Sequence, residues 1–140
     1  MLTEKDYCDY ETCVALKELG YKVPTSAYYI TNDTTLYFVS NPFRGGYAID
    51  CFYSHNSLRE GVVTSNYIDA PTMWEAQKWL REEKKCFVNV CFIAVDNWHC
   101  EIEIIHPNGT GSSKLIRLCK SYEDALSEGI KKAVEILKDK

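Results

Sequence analysis

No stretch of this sequence stays apolar long enough to cross a bilayer. Its longest apolar run, Cys86 to Val95, is interrupted by Asn89 and falls well short of the roughly 18 residues that a spanning helix needs. The N-terminus, M-L-T-E-K-D-Y-C-D-Y, has no basic region leading into an apolar one, so no secretory signal is expected. Positive charge is not in excess either. The 16 Lys and Arg stand against 20 Asp and Glu, a net charge of -4, which leaves no electrostatic footprint for phosphate backbones. The expectation is a soluble cytoplasmic protein with no membrane partner and no nucleic-acid partner.

Metal-ligand spacing is also missing. Three histidines and seven cysteines are present, but no two cysteines form a Cys-x-x-Cys pair, and zinc sites are commonly built from such closely spaced pairs. Cys86 and Cys91 lie five apart on an expected strand and point to opposite faces, and neighbours His99 and Cys100 diverge in the same way. No metal and no cofactor is expected. The cysteine count is odd, and most of the seven sit within apolar periodic segments, where a free thiol packs as a small hydrophobe.

What is present suits a single α+β domain spanning residues 1–140. The apolar fraction of 46% argues against disorder, and this length supports one core. The chain is organised around residues 68 to 95, where a capped helix runs directly into the longest apolar strand. Thr72 and Glu75 form a capping-box pattern, and Pro71 sets the entry. Met73, Ala76 and Leu80, with Trp79 and Glu83 on a flank, share one side at helical spacing, whereas Trp74 points away from them. Trp74 therefore needs a second partner: the connection over 54–69, another protein, or a second copy of the chain.

Elsewhere the pattern predicts a first helix from about Glu4 to Leu19, with Thr3, Asp6 and Asp9 as competing caps and Gly20 as the stop. A hairpin, Ala27 to Thr31 and Thr34 to Ser40, turns at Asn32-Asp33, and a third strand follows over Tyr47 to Tyr53. A long surface connection continues to Asp69, with a short strand near Val62-Val63. The second hairpin is Cys86 to Val95 and Trp98 to His106. A tight turn at Asp96-Asn97 would place Val95 opposite Trp98, Ile93 opposite Cys100, Cys91 opposite Ile102 and Asn89 opposite Ile104. That register buries Cys91, Ile93, Cys100, Ile102 and Ile104 and leaves His99, Glu101 and Glu103 on the wet side. Leu115 to Cys119 returns as a strand. The last helix is capped by Ser121, with Asp124 at the capping-box position, and carries a broad apolar stripe in which Gly129 either permits close backbone approach or is a tolerated weak spot. The order α-βββ-α-βββ-α, with antiparallel sheets packed by three helices, leaves open a weak βββα duplication.

Chemistry-bearing residues are few. His55, near Cys51 and Tyr53, is the least implausible base for a Cys-His pair, but no oxyanion site or orienting carboxylate accompanies it. Phe43 to Tyr47 lacks the further glycines and following helix of a phosphate loop. Glu101 and Glu103 match a solvated, edge-protecting face better than an acid-base pair. No catalytic residue is assigned. Six of the ten tyrosines (Tyr28, Tyr29, Tyr37, Tyr47, Tyr53, Tyr67) fall in the strands and connection of the first half, where strand packing and a binding surface are both open readings.

The segments A-P-T-M-W-E-A-Q-K-W-L-R-E at 70 to 82, S-Y-E-D-A-L-S-E-G-I-K-K-A-V at 121 to 134 and D-Y-E-T-C-V-A-L-K-E-L-G-Y at 9 to 21 resemble a family of small uncharacterised proteins encoded by gut anaerobic bacteria and their phages. The resemblance implies no activity, cofactor or site residue. The leading expectation is a non-enzymatic intracellular accessory protein that binds another macromolecule, with Trp74 as the candidate interface and a protein partner or homo-oligomer as the occupant. The alternative is a small enzyme or ligand-binding domain with a pocket beside residues 54–69.

Overall fold

A computed structural model describes residues 2–31, 33–38 and 67–139. Among these residues the fold is α+β: three α-helices and two three-stranded antiparallel sheets in the order α-βββ-α-βββ-α. The chain divides into two compact units, Met1–Pro71 and Thr72–Lys140. No helix of the described residues is long and apolar enough to cross a membrane. The strand expected over Tyr47 to Tyr53, the one near Val62-Val63, and the candidates His55, Cys51 and Phe43 to Tyr47 lie outside the described residues.

In the first unit the single helix expected from Glu4 is two elements, because two of the competing caps are both used. A 3-10 turn, Glu4–Asp6, is closed by the Thr3 amide donating to Asp6 Oδ2 at 2.7 Å. Helix α1 then spans Tyr10–Glu18, with Asp9 Oδ1 accepting from the Thr12 amide at 2.8 Å. Between them Tyr7 is extended, and the Cys8 amide donates to the Pro71 carbonyl. Those residues bond elsewhere, so the helix cannot run through them. Gly20, at φ +104°, lets the Tyr21 amide return to the Leu16 carbonyl and ends α1. The helix buries Thr12, Cys13, Ala15 and Leu16 and packs on the sheet at β3.

That sheet has the order β2-β1-β3. Strands β1 (Ala27–Ile30) and β2 (Asp33–Phe38) form the expected hairpin, with Tyr28 opposite Tyr37 and Tyr29 opposite Leu36. Strand β3 (Tyr67–Asp69) pairs with β1 on its other side. The stretch expected to be connection therefore ends in a strand. Its three residues, two of them half-buried, are too few to show a period.

In the second unit the capping box at Thr72 has both arms: Glu75 N–H to Thr72 Oγ1 at 3.1 Å and Thr72 N–H to Glu75 Oε1 at 2.8 Å. Helix α2 (Met73–Lys84) buries Met73, Ala76, Trp79 and Leu80, and Trp74 is 39% exposed. Lys85 alone, in the left-handed region at φ 52°, joins α2 to β4. Strands β4 (Cys86–Ala94), β5 (Asn97–Ile105) and β6 (Gly111–Cys119) form a meander in that order. The two sheets thus differ in which strand is central. Helix α3 (Tyr122–Lys138) starts at Ser121, whose hydroxyl accepts from the Asp124 amide at 3.1 Å; no reciprocal bond from Asp124 accompanies it. Helix α3 lies across all three strands, and α2 lies against β4 and α3.

The β4–β5 register departs from expectation. Cys86 faces Ile104, Val88 faces Ile102, Val90 faces Cys100 and Phe92 faces Trp98. The turn is Val95-Asp96, with Asp96 at φ 58°, and an irregularity between Phe92 and Ala94 absorbs one residue. The displacement from the expected pairing is odd, so β4 is turned over while β5 keeps its faces. Cys86 and Val88 are buried in place of Cys91 and Ile93, which are exposed. Cys100, Ile102 and Ile104 are buried and Glu101 and Glu103 exposed, as expected.

Gly129 lies at the tightest contact of this unit. A Cβ there would overlap Cys100 Sγ and come within 2.7 Å of Val88 Cγ1, so the glycine is what allows α3 to approach the sheet. Gly129→Ala gains about 1 kcal/mol of helix propensity but overpacks the core, which typically costs about 1–3 kcal/mol. The expected outcome is a lower Tm by circular dichroism. A Tm equal to or above wild type would show that Cys100 can move aside.

Candidate functional site

Three aromatics of the second unit, Phe92, Trp98 and Tyr122, gather near where β4 turns into β5. Phe92 and Trp98 are cross-strand partners with ring centroids 5.1 Å apart, edge to face, and Tyr122, the first residue of α3, meets Trp98 at 5.8 Å in the same manner. The sheet outruns the helix at this end, so the row is covered from Trp98 to Tyr122 and open beyond. Phe92 is 60% exposed, Val95 in the turn 83%, and Leu118 beside the β6 end 76%. Leu118 also holds φ 62°, a conformation an L-residue with a Cβ adopts only at a cost. Clustered exposed apolar side chains on a small domain mark a contact surface more often than a chance.

Trp74 lies along the outer side of β4. The Gln77 side-chain amide donates to the Val88 carbonyl at 2.7 Å, so that side of α2 meets the outer edge of β4. Trp74, three residues earlier, lies on the same side. The single-residue joint at Lys85 makes α2 run back along β4, and one turn towards its start leads from Val88 towards Phe92.

Two other arrangements carry recognisable chemistry. In the first unit Tyr28 stacks on Tyr37 at 5.6 Å and meets Tyr67 at 5.2 Å, a row of half-buried rings across the sheet, while Tyr29 is buried with its hydroxyl donating to the Cys8 carbonyl at 2.9 Å. Burial pushes the Tyr29 phenol well above its usual range. An open cleft of about 720 Å³ is lined by Thr3, Glu4, Lys5, Tyr7, Asp9 and Tyr29. Its inner polar groups are spent on the fold: Asp9 caps α1, the Tyr7 hydroxyl bonds Ser26 Oγ at 2.7 Å, and Tyr29 holds Cys8, which leaves only Glu4 and Lys5 at its exposed rim. A ligand pocket needs convergent polar groups that are free to bind.

The second is a cross-strand pair, Cys91 opposite His99, on the open face of the second sheet beside Asn89 and Glu101. The sequence offered His55 as the base for such a pair, and the register expected from it set Cys91 opposite Ile102 instead of His99. The Ile105 amide donates to the Lys85 carbonyl, and alternation from there makes Cys91 and His99 a hydrogen-bonded pair. Both amides are consumed across the strands, and neither is left to stabilise an oxyanion. No group of three or more His, Cys, Asp or Glu residues that could hold a metal occurs among the described residues.

No family model, no curated protein and no solved structure matches this chain.

The six described cysteines are free thiols, five buried and Cys91 exposed. Burial holds the Cys86 thiol up at about 11 and, with neighbouring thiols adding to it, Cys100 at about 12; Cys13 and Cys119 are raised by the same cause. Among these six, a soluble alkylating reagent on the native protein is expected to label Cys91 first, with the others reacting only after denaturation. Peptide mapping that found Cys100 or Cys13 labelled as fast would contradict the packing. The pH dependence has a definite sign. Unfolded thiols ionise near 9.0 while folded Cys86 and Cys100 keep their protons to about 11 and 12. Their stabilising contribution is full below about pH 9 and is lost as pH rises from there. Tm should fall between pH 9 and 11, and Cys86→Ala and Cys100→Ala should each flatten that decline.

Proposed function

We propose that this protein is a non-enzymatic accessory protein that acts by binding another protein through the apolar end of its second sheet. The observation that carries the reading is the aromatic row from Tyr122 through Trp98 to Phe92, continued by Val95 and flanked by Leu118, with the last residues exposed. Such a surface has large area, stiff side chains and little charge, which suits a protein partner. The net charge of -4 favours no polyanion. Trp74, on the β4 side of α2, is the second anchor of the same surface. In this reading the protein serves a mobile element from within the cytoplasm, a setting that its resemblance to small proteins of gut anaerobes and their phages supports.

Phe92→Ser with Val95→Ser removes the exposed apolar tip and leaves every buried side chain of the sheet in place, so the fold should survive with a loss of no more than about 1–2 kcal/mol, mostly the Phe92–Trp98 pair. Affinity capture from native lysate is expected to enrich specific proteins with wild type and lose them with this variant, and Trp74→Ala should weaken the same capture. An enriched set that is identical for all three chains would overturn the reading.

A further inference from the structure

Strand β6 is the outer edge of the second sheet, and eight of its nine residues are exposed or half-exposed. Its hydrogen-bonding side can be read residue by residue. The His106 amide donates to the Thr110 carbonyl, and the register sets Ser112 opposite Ile104, Lys114 opposite Ile102 and Ile116 opposite Cys100. These residues turn their amides and carbonyls inward to β5, so Ser113 and Leu115 turn theirs outward, and Arg117 follows them at the start of the irregularity between the Cys100–Ile116 and Trp98–Cys119 pairs. No strand among the described residues pairs with that edge.

We propose that β6 pairs antiparallel with β6 of a second copy of this chain, about a twofold axis at Leu115, to give one continuous six-stranded sheet. The parity of the strand selects this axis. Centred on Leu115, outward-facing residues meet outward-facing residues: Leu115 opposes Leu115 of the other copy, and Ser113 opposes Arg117. Lys114 then opposes Ile116, so neither cation of the strand faces another. An axis at Arg117 would set two arginines against each other, and an axis at Ser113 would carry Arg117 beyond the strand. Edge cations ordinarily discourage pairing, but here one of them has a receptor. Ser113 lies opposite Glu103 of its own sheet. Arg117 of the second copy, arriving beside Ser113, is two strand spacings from Glu103, about 9.5 Å between backbones. The intervening serine is short enough for the guanidinium to reach over it to the carboxylate, and the twofold makes this contact twice. Leu115, 41% exposed in the single chain, is covered at the axis by its own copy. Phe92 and Val95 take no part, so this surface meets the hairpin end only at Leu118, near the end of the β6 edge.

The test is sedimentation equilibrium of the full chain over a wide concentration range, with Arg117→Glu, Glu103→Arg and the double variant. Both side chains are exposed, and unchanged circular dichroism and Tm establish that each variant is folded. Wild type is expected to show a monomer–dimer equilibrium, each single variant a dissociation constant raised about tenfold or more by like-charge opposition, and the double variant a return towards wild type. Amide exchange should slow with concentration at Ser113 and Leu115. A chain that stays monomeric throughout, or a dimer indifferent to Arg117→Glu, would overturn the proposal.

Discussion

The second unit depends on one close contact. Where α3 crosses the sheet, the missing side chain of Gly129 admits the thiol of Cys100 and a methyl of Val88, and the helix sits as deep as its backbone allows. Everything else follows from that depth. Ala125, Leu126, Ile130, Ala133 and Val134 reach the sheet and are buried, and Cys100 and Cys86 are dry enough to keep their protons well above the usual thiol range. The contact also has a limit. Helix α3 begins at Tyr122, level with Trp98, and beyond that level the sheet has no cover, which is why Phe92 and Val95 stand in solvent.

Local signals were legible in the sequence wherever one residue or one period decides the outcome. The capping box at Thr72, the Ser121 cap, the stripe of α3 and the faces of β5 all depend on chemistry within a turn or on a repeat within one element, and each appears as read. Register was not legible. It is set by which two residues form the hairpin turn, and Asp96-Asn97 has the better turn chemistry on composition alone. The chain instead places Val95 first and uses the left-handed tolerance of Asp96, with one residue absorbed near Ile93. That choice turns over β4 without disturbing β5. It is also what brings Cys91 opposite His99 and Phe92 opposite Trp98, so the candidate site depends on a register that the sequence concealed. The division of the first helix had a visible cause, two caps within one window, whose joint use depends on the Cys8 amide finding Pro71 far along the chain.

Trp74 shows how far a helix phase alone reaches. The phase sets a large ring on the side away from Met73, Ala76 and Leu80, and the ring is 39% exposed. What the phase alone does not supply is the neighbour. Gln77 does, because its bond to the Val88 carbonyl identifies that side of α2 as the side along the β4 edge. The same bond blunts that edge, occupying a carbonyl that would otherwise invite another strand. Of the two edges of the second sheet, one has a side chain laid over it, and the other, β6, has a row of outward amides and an arginine.

The single residue between α2 and β4 bears on how this protein would come apart. Most helix-to-strand connections are loops of several residues, and loop tips are where proteases enter. Lys85 is held at φ 52° by the cap, its amide bonded to the Leu80 carbonyl and its own carbonyl accepting from Ile105, and it offers no extended stretch that would fit a protease cleft. A tryptic cut at this basic residue therefore requires β4 to leave β5, so the joint is protected by the sheet itself, and the helix and the strand it feeds persist or unfold as one piece.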